Sequence, residues 1–178
     1  MYIWVGIDVD DAFADLRKKA VEVEKLLGCE HSCYTLPMHV SLKMSFEVTN
    51  DRFDEIADSI LRYFSTLRPL EVFNPRVENA GNIVWVRYDE NKYLCQIKDQ
   101  LNAMLRDKHG IPMHEYDSDY LFHTTVFMFD TEDKNAQGYR QIANVKLPKK
   151  VALNKFVVGS SPNGELGTYS VIKGIFVG

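Results

Sequence analysis

At 178 residues, with 46% hydrophobic and 26% charged content, the chain fits one globular domain with enough material for a substantial core. Its formal net charge of -4 argues against a broad basic surface for gripping long nucleic acid, though not against a nucleotide or short RNA in a local cleft. No apolar run approaches the ~20 residues of a membrane span. Three scattered cysteines make no disulfide framework, and the N-terminus reads as a strand rather than a basic leader, so a cytoplasmic, reduced protein is expected.

Tyr2 to Val9 is rich in aromatic and β-branched residues and reads as a strand. Asp10 or Asp11 can cap a helix in which Phe13, Leu16, Ala20, Val23 and Leu27 recur at three- and four-residue steps, ended by Gly28. A loop from Cys29 to Pro37 follows. Then Met38 to Phe46 alternates with period two, placing Val40, Leu42, Met44 and Phe46 on one side and His39, Ser41, Lys43 and Ser45 on the other. Thr49 or Asn50 caps a second helix striped by Phe53, Ile56, Ile60, Phe64 and Leu67, and Pro69 closes it. Leu70 to Val77 and Ile83 to Tyr88 read as strands about an Asn79-Ala80-Gly81-Asn82 turn.

A third helix begins near Asn91, shows Leu94, Ile97, Leu101 and Met104 on one side, and stops near Gly110 and Pro112. A polar loop, His114 to Asp119, leads into Phe122 to Phe129, where His123 and Thr125 again share a face. Asp130 to Val145 is read as a fourth helix of weaker periodicity, interrupted by Gly138. Val151 to Gly159 and Thr168 to Val177 form a closing hairpin about Pro162-Asn163-Gly164. Each His strand follows a helix and a loop and precedes a capped helix, a weak duplication of pattern. Two such α+β halves facing one another would bring the two polar strand faces to a shared groove.

Two histidines across a groove supply a general base and a general acid near neutral pH. Hydroxyls two residues along the same faces can donate hydrogen bonds to non-bridging phosphate oxygens, and the scheme needs no metal or other cofactor. His39-Val40-Ser41-Leu42 and His123-Thr124-Thr125-Val126, 84 residues apart, resemble the paired His-x-Thr/Ser-x-hydrophobic motifs of the 2H phosphoesterase superfamily. The longer phrase Pro37 to Lys43 is similar to the first motif of its bacterial 2′-5′ RNA ligase and 2′,3′-cyclic phosphodiesterase branch. Ser41 stands where Thr is commoner, and Phe127-Met128-Phe129 is bulkier than that pattern.

The resemblance implies a bilobal α+β fold, two antiparallel-sheet lobes with flanking helices related by a pseudo-two-fold, and a metal-independent site in the cleft between them. It implies cyclic phosphodiesterase activity on 2′,3′-cyclic or 2′-5′ linkages of nucleotides or RNA ends. By analogy His39 is the general acid, His123 the base, and Ser41 and Thr125 hold the phosphate. A 2′-5′ RNA ligase working in reverse and a non-catalytic nucleotide- or RNA-binding module are the alternatives. No obligatory protein partner is evident.

Other features have plainer readings beside the functional ones. Lys43 could add charge to the site but is expected to reach solvent at the cleft rim. Cys29-x-His31-x-Cys33 offers soft ligands without the further pair that structural zinc needs, and is read as a helix-end loop. Tyr34, Tyr116, Tyr120 and Phe122 flank the His strands and are candidates either for stacking on a base or for ordinary packing. Asp8, Asp10 and Asp11 suit a helix start better than a cation site.

Overall fold

A computed structural model describes residues 1–28, 36–118 and 120–178. The elements run β1 (Tyr2–Asp8), α1 (Ala14–Leu27), β2 (His39–Glu47), α2 (Phe53–Phe64), β3 (Leu70–Phe73), β4 (Arg76–Asn79), β5 (Val84–Arg87), α3 (Lys92–His109), β6 (His123–Phe127), α4 (Glu132–Ile142), β7 (Lys150–Leu153), β8 (Lys155–Ser161) and β9 (Ser170–Phe176). All strand pairing is antiparallel, in an α+β arrangement. One sheet has the order β4-β5-β6-β2-β1-β8-β9, and β3 pairs with β7 in a second, two-stranded sheet.

The order of the large sheet is unchanged when β1 to β4 are exchanged with β5 to β8, leaving β9 as an added edge strand. The helices obey the same exchange. α1 packs on β6 and α4, as α3 packs on β2 and α2; α4 packs on β4 as α2 packs on β8. Each lobe therefore contains a strand and a helix from the other half of the chain. The lobes β4-β5-β6 and β2-β1-β8-β9 run into one another through a single pairing, Val40↔Thr124.

The helices form where the apolar stripes demand them. Ile56, Ile60 and Phe64 of α2 are fully buried, as are Ile97, Leu101 and Leu105 of α3. Asn91 Oδ1 accepts from the Leu94 amide at 3.0 Å, satisfying one of the free N–H groups at the start of α3. α4 is shorter than its sequence pattern, ending at Ile142. A Cβ on Gly138 would lie 2.8 Å from Phe127 Cε2, so the residue that weakens the helical pattern lets α4 close against β6.

Two segments read as single strands are each divided. Leu70–Val77 splits at Asn74, whose φ of 50° turns the chain from the small sheet into the large one. Val151–Gly159 is also divided, at Asn154, with β7 in the small sheet and β8 in the large one. Strand-like composition on both sides of each bend does not register a change of sheet.

Candidate active site

His39, Ser41, His123 and Thr125 all line one cavity of about 850 Å³. The strands explain this. Val40 and Thr124 point into the core and are fully buried, so their neighbours on each strand point the other way, into the cavity. An antiparallel register through Val40↔Thr124 sets His39 across from Thr125 and Ser41 across from His123. Each imidazole thus has the other strand's hydroxyl-bearing residue beside it.

The two rings are held alike. His39 Nδ1 lies 2.8 Å from the Pro37 carbonyl oxygen, and His123 Nδ1 lies 2.7 Å from the Leu121 carbonyl oxygen. A carbonyl only accepts, so in each neutral ring Nδ1 carries the proton and Nε2 keeps its lone pair. The entry to β2 is itself tied down. The Met38 amide donates to Asp10 Oδ1 at 2.9 Å and the Met38 carbonyl accepts from the Val9 amide at 2.8 Å. Asp8 and Asp10 are thereby occupied, Asp8 also by Lys155 and Asp10 by Arg17, in keeping with their reading as helix-start carboxylates.

A tryptophan lies against each histidine. Trp4 on β1 meets His39 edge-on with ring centroids 4.3 Å apart, and Trp85 on β5 meets His123 at 4.6 Å. The two are not equivalent positions: Trp85 stands opposite Thr125 as Gly6 stands opposite Ser41, and Trp4 reaches its histidine from two residues further along its strand. Trp4 Nε1 donates to Ser41 Oγ at 3.3 Å. Its indole lies flat on the sheet because Gly6 and Gly159 leave room for it; Cβ atoms there would come within 2.5 Å and 2.8 Å of the ring. The chain has only two tryptophans, each on the strand that pairs with a His strand, a signal that sequence reading passed over.

Burial lowers the His39 imidazole to about 4; the Pro37 carbonyl opposes this, His123 adds to it and Asp8 opposes it. His123 is also lowered, first by burial, with the Leu121 carbonyl opposing and Arg87 adding. The difference in neighbours follows the register, since Asp8 pairs with His39 and Arg87 with His123. Tyr120, one of the aromatic candidates, hydrogen-bonds Ser41 and lies 5.5 Å from the His123 ring. Burial pushes its phenol up to about 12, the Ser41 hydrogen bond opposing, which keeps it a hydrogen-bonding group at neutral pH.

Tyr116 also lines the cavity, whereas Phe122 packs against the core. Tyr34 and the Cys29-x-His31-x-Cys33 segment lie outside the described residues. Among the described residues no group of three or more His, Cys, Asp or Glu could hold a metal ion.

Lys43 does not reach solvent. Its side chain is 2% exposed, ion-paired with the equally buried Asp117, and it donates to the Pro112 carbonyl at 3.0 Å. Lys43 keeps the cavity face of His39, Ser41 and Ser45, but Pro112 and Asp117 lie over it and take its ammonium. Leu42 is buried in the core and Lys43 beneath the segment that carries Asp117. Asp117 also accepts from the His114 amide at 2.7 Å, and Lys98 Nζ donates to the Asp117 carbonyl at 2.5 Å. This buried polar knot fixes the segment that carries Glu115 and Tyr116 to the cavity wall. A further wall, Gly164 to Gly167 with Tyr169, comes from the β8–β9 loop, which the sequence presents only as a turn.

No family model matches the sequence, and no curated protein matches it. Solved structures do. A crystal structure described as a phosphoesterase superposes with a TM-score of 0.56 at 15% identity, covering 98% of this chain and 97% of that one. The chain has the LigT fold. The Escherichia coli LigT structure complexed with ATP gives a TM-score of 0.57 at 14% identity, covering 99% and 97% of the two chains. LigT complexed with 3′-AMP gives 0.55 at 14% identity, covering 98% and 97%. The LigT fold is the one that the paired motifs imply, and the likeness spans nearly the whole chain.

Proposed function

We propose that the chain is a metal-independent phosphodiesterase acting on 2′,3′-cyclic phosphate or 2′-5′ phosphodiester bonds of nucleotides or RNA ends. The observation that carries this reading is the matched pair of imidazoles on one cavity, each with Nδ1–H engaged by a carbonyl two residues earlier and Nε2 left for chemistry. The LigT fold, present also in a protein described as a phosphoesterase, supports it.

In this mechanism His123 Nε2 takes a proton from water as its oxygen attacks phosphorus, and His39, protonated at Nε2, donates to the departing ribose oxygen. The roles are those of the 2H superfamily's cyclic phosphodiesterases, taken over by analogy. Ser41 and Thr125 hold the non-bridging oxygens, and Tyr120 orients the Ser41 hydroxyl. Burial alone leaves both rings neutral at pH 7, so the phosphate anion itself must draw the acidic proton onto His39 as it binds.

The test is hydrolysis of the four 2′,3′-cyclic nucleotides and a 2′-5′ dinucleotide in EDTA, by wild type, His39→Ala and His123→Ala. Each variant should lose roughly 10²–10⁴ in rate. Activity that vanishes in EDTA and returns with a divalent ion would refute the metal-free mechanism. A wild type that binds nucleotide without turnover would make the protein a binding module.

A further inference from the structure

The cavity wall has an unusual charge content for a site that is to receive a phosphate. Lys43 is the only lysine or arginine among the described residues lining it, and its ammonium is consumed by Asp117 and the Pro112 carbonyl. The segments 29–35 and 119, which are not described, contain no lysine or arginine in sequence. Glu115, also in the wall, adds a negative charge. Arg87 lies beyond the wall, its guanidinium 5.5 Å from the Trp85 ring centre, and pairs in register with His123.

Away from the histidines the wall is aromatic and aliphatic. Trp85, Tyr116, Leu121, Met128 and Leu166 line it, and Leu121 and Leu166 are 54% and 61% exposed. A cavity of about 850 Å³ is large enough for a nucleoside beside the phosphate. Flat, weakly polar surfaces of this kind suit a base or another aromatic group, because stacking tolerates many ring types.

Resting on the function proposed above, we infer that the site selects substrates that place a single phosphate in the cavity, the one to be cleaved, attached to a flat uncharged group. A nucleotide or RNA end that brings a second phosphate into the cavity is selected against. The two imidazoles can answer the charge of the phosphate they share by taking up protons. A second phosphate elsewhere in the cavity would give up its hydration for a largely apolar wall whose described residues offer it no free lysine or arginine. Its charge would also meet Glu115 and the chain's net charge of -4.

The experiment compares 3′-AMP with adenosine 3′,5′-bisphosphate by calorimetry on the whole chain. In parallel, 2′,3′-cyclic AMP is compared with its 5′-phosphorylated form in turnover. We expect 3′-AMP to bind at least tenfold more tightly than the bisphosphate, and kcat/KM to fall at least tenfold on adding the 5′-phosphate. The variant Leu166→Arg, which places a cation on an exposed part of the wall, should reduce the binding ratio. Equal or tighter binding of the bisphosphate, or no binding of 3′-AMP, would overturn the inference. If the binding preference holds but no cyclic phosphate is hydrolysed, the function proposed above fails while the selectivity stands. Hydrolysis indifferent to the 5′-phosphate would overturn the selectivity alone.

Discussion

Replacing Lys43 by Met removes the charge that faces Asp117 while keeping most of the side chain's length and apolar stem. Both members of the pair are 2% exposed, so water cannot take over from the ammonium. The Asp117 carboxylate would keep the His114 amide and a longer 3.4 Å approach from the Met44 amide, but no side-chain cation. Breaking a buried pair from one side costs about 3–5 kcal/mol, because the remaining charge is stranded. For a chain of this size that is a fall in Tm of roughly 6–20 °C, at ~2–4 °C per kcal/mol.

Urea unfolding of wild type, Lys43→Met, Asp117→Leu and the double variant gives the coupling energy directly. The double variant should recover much of the loss, since neither charge is then left alone. Cyclic phosphate hydrolysis measured well below the lowered Tm should stay within about tenfold of wild type, because an ammonium already spent on Asp117 is not holding substrate. A stability loss under 1 kcal/mol, or a thousandfold loss of rate in a fully folded variant, would refute this placement of Lys43.

Three other outcomes are expected. Gly6→Ala sets a Cβ 2.5 Å from Trp4 Cζ2 and 2.8 Å from the Val40 carbonyl oxygen. It should cost about 1–3 kcal/mol in urea unfolding and shift the His39 NMR titration; an unmoved imidazole would mean that Trp4 does not shape its surroundings. The free-enzyme profile, kcat/KM against pH, should peak on the acid side of 6.5, because both imidazoles are lowered and one must be protonated. A peak above pH 7.5 would contradict it. Finally, His39 stays neutral down to about pH 4 in the folded chain but takes up a proton near ~6.5 once unfolded. Stability should therefore fall as pH drops from ~6.5 to about 4, by an amount on the order of 3 kcal/mol, with no further loss from this group below. His39→Phe should flatten that stretch of the unfolding-versus-pH curve.

Much of this arrangement is legible in the residues. The stripes of α2 and α3 and the period-two alternation about His39 and His123 report burial on one face, which local spacing encodes directly. Ser41 and Thr125 share the cavity with the histidines because two-residue spacing fixes the face of a strand. Local spacing is blind to what lies over a strand face, and Lys43 is the instance. The residues that cover it, Pro112 and Asp117, lie 69 and 74 positions further along the chain. Trp4 and Trp85 were missed for a related reason, since each meets a histidine only once strands far apart in sequence are side by side. The bends at Asn74 and Asn154 move the chain between sheets, which strand-like composition on either side does not report.

The exchange of strands and helices between the two lobes bears on how the chain can be made. β1 is apolar and almost wholly buried, and one of its two neighbours is β8. As the chain leaves the ribosome, β1 can find β2 early, but its other edge stays open until Lys155–Ser161 has emerged. An apolar strand with an unpaired edge invites pairing with the wrong chain. Chains that terminate before β8 should therefore aggregate rather than accumulate as soluble halves, and holding factors should favour the nascent protein over the finished one.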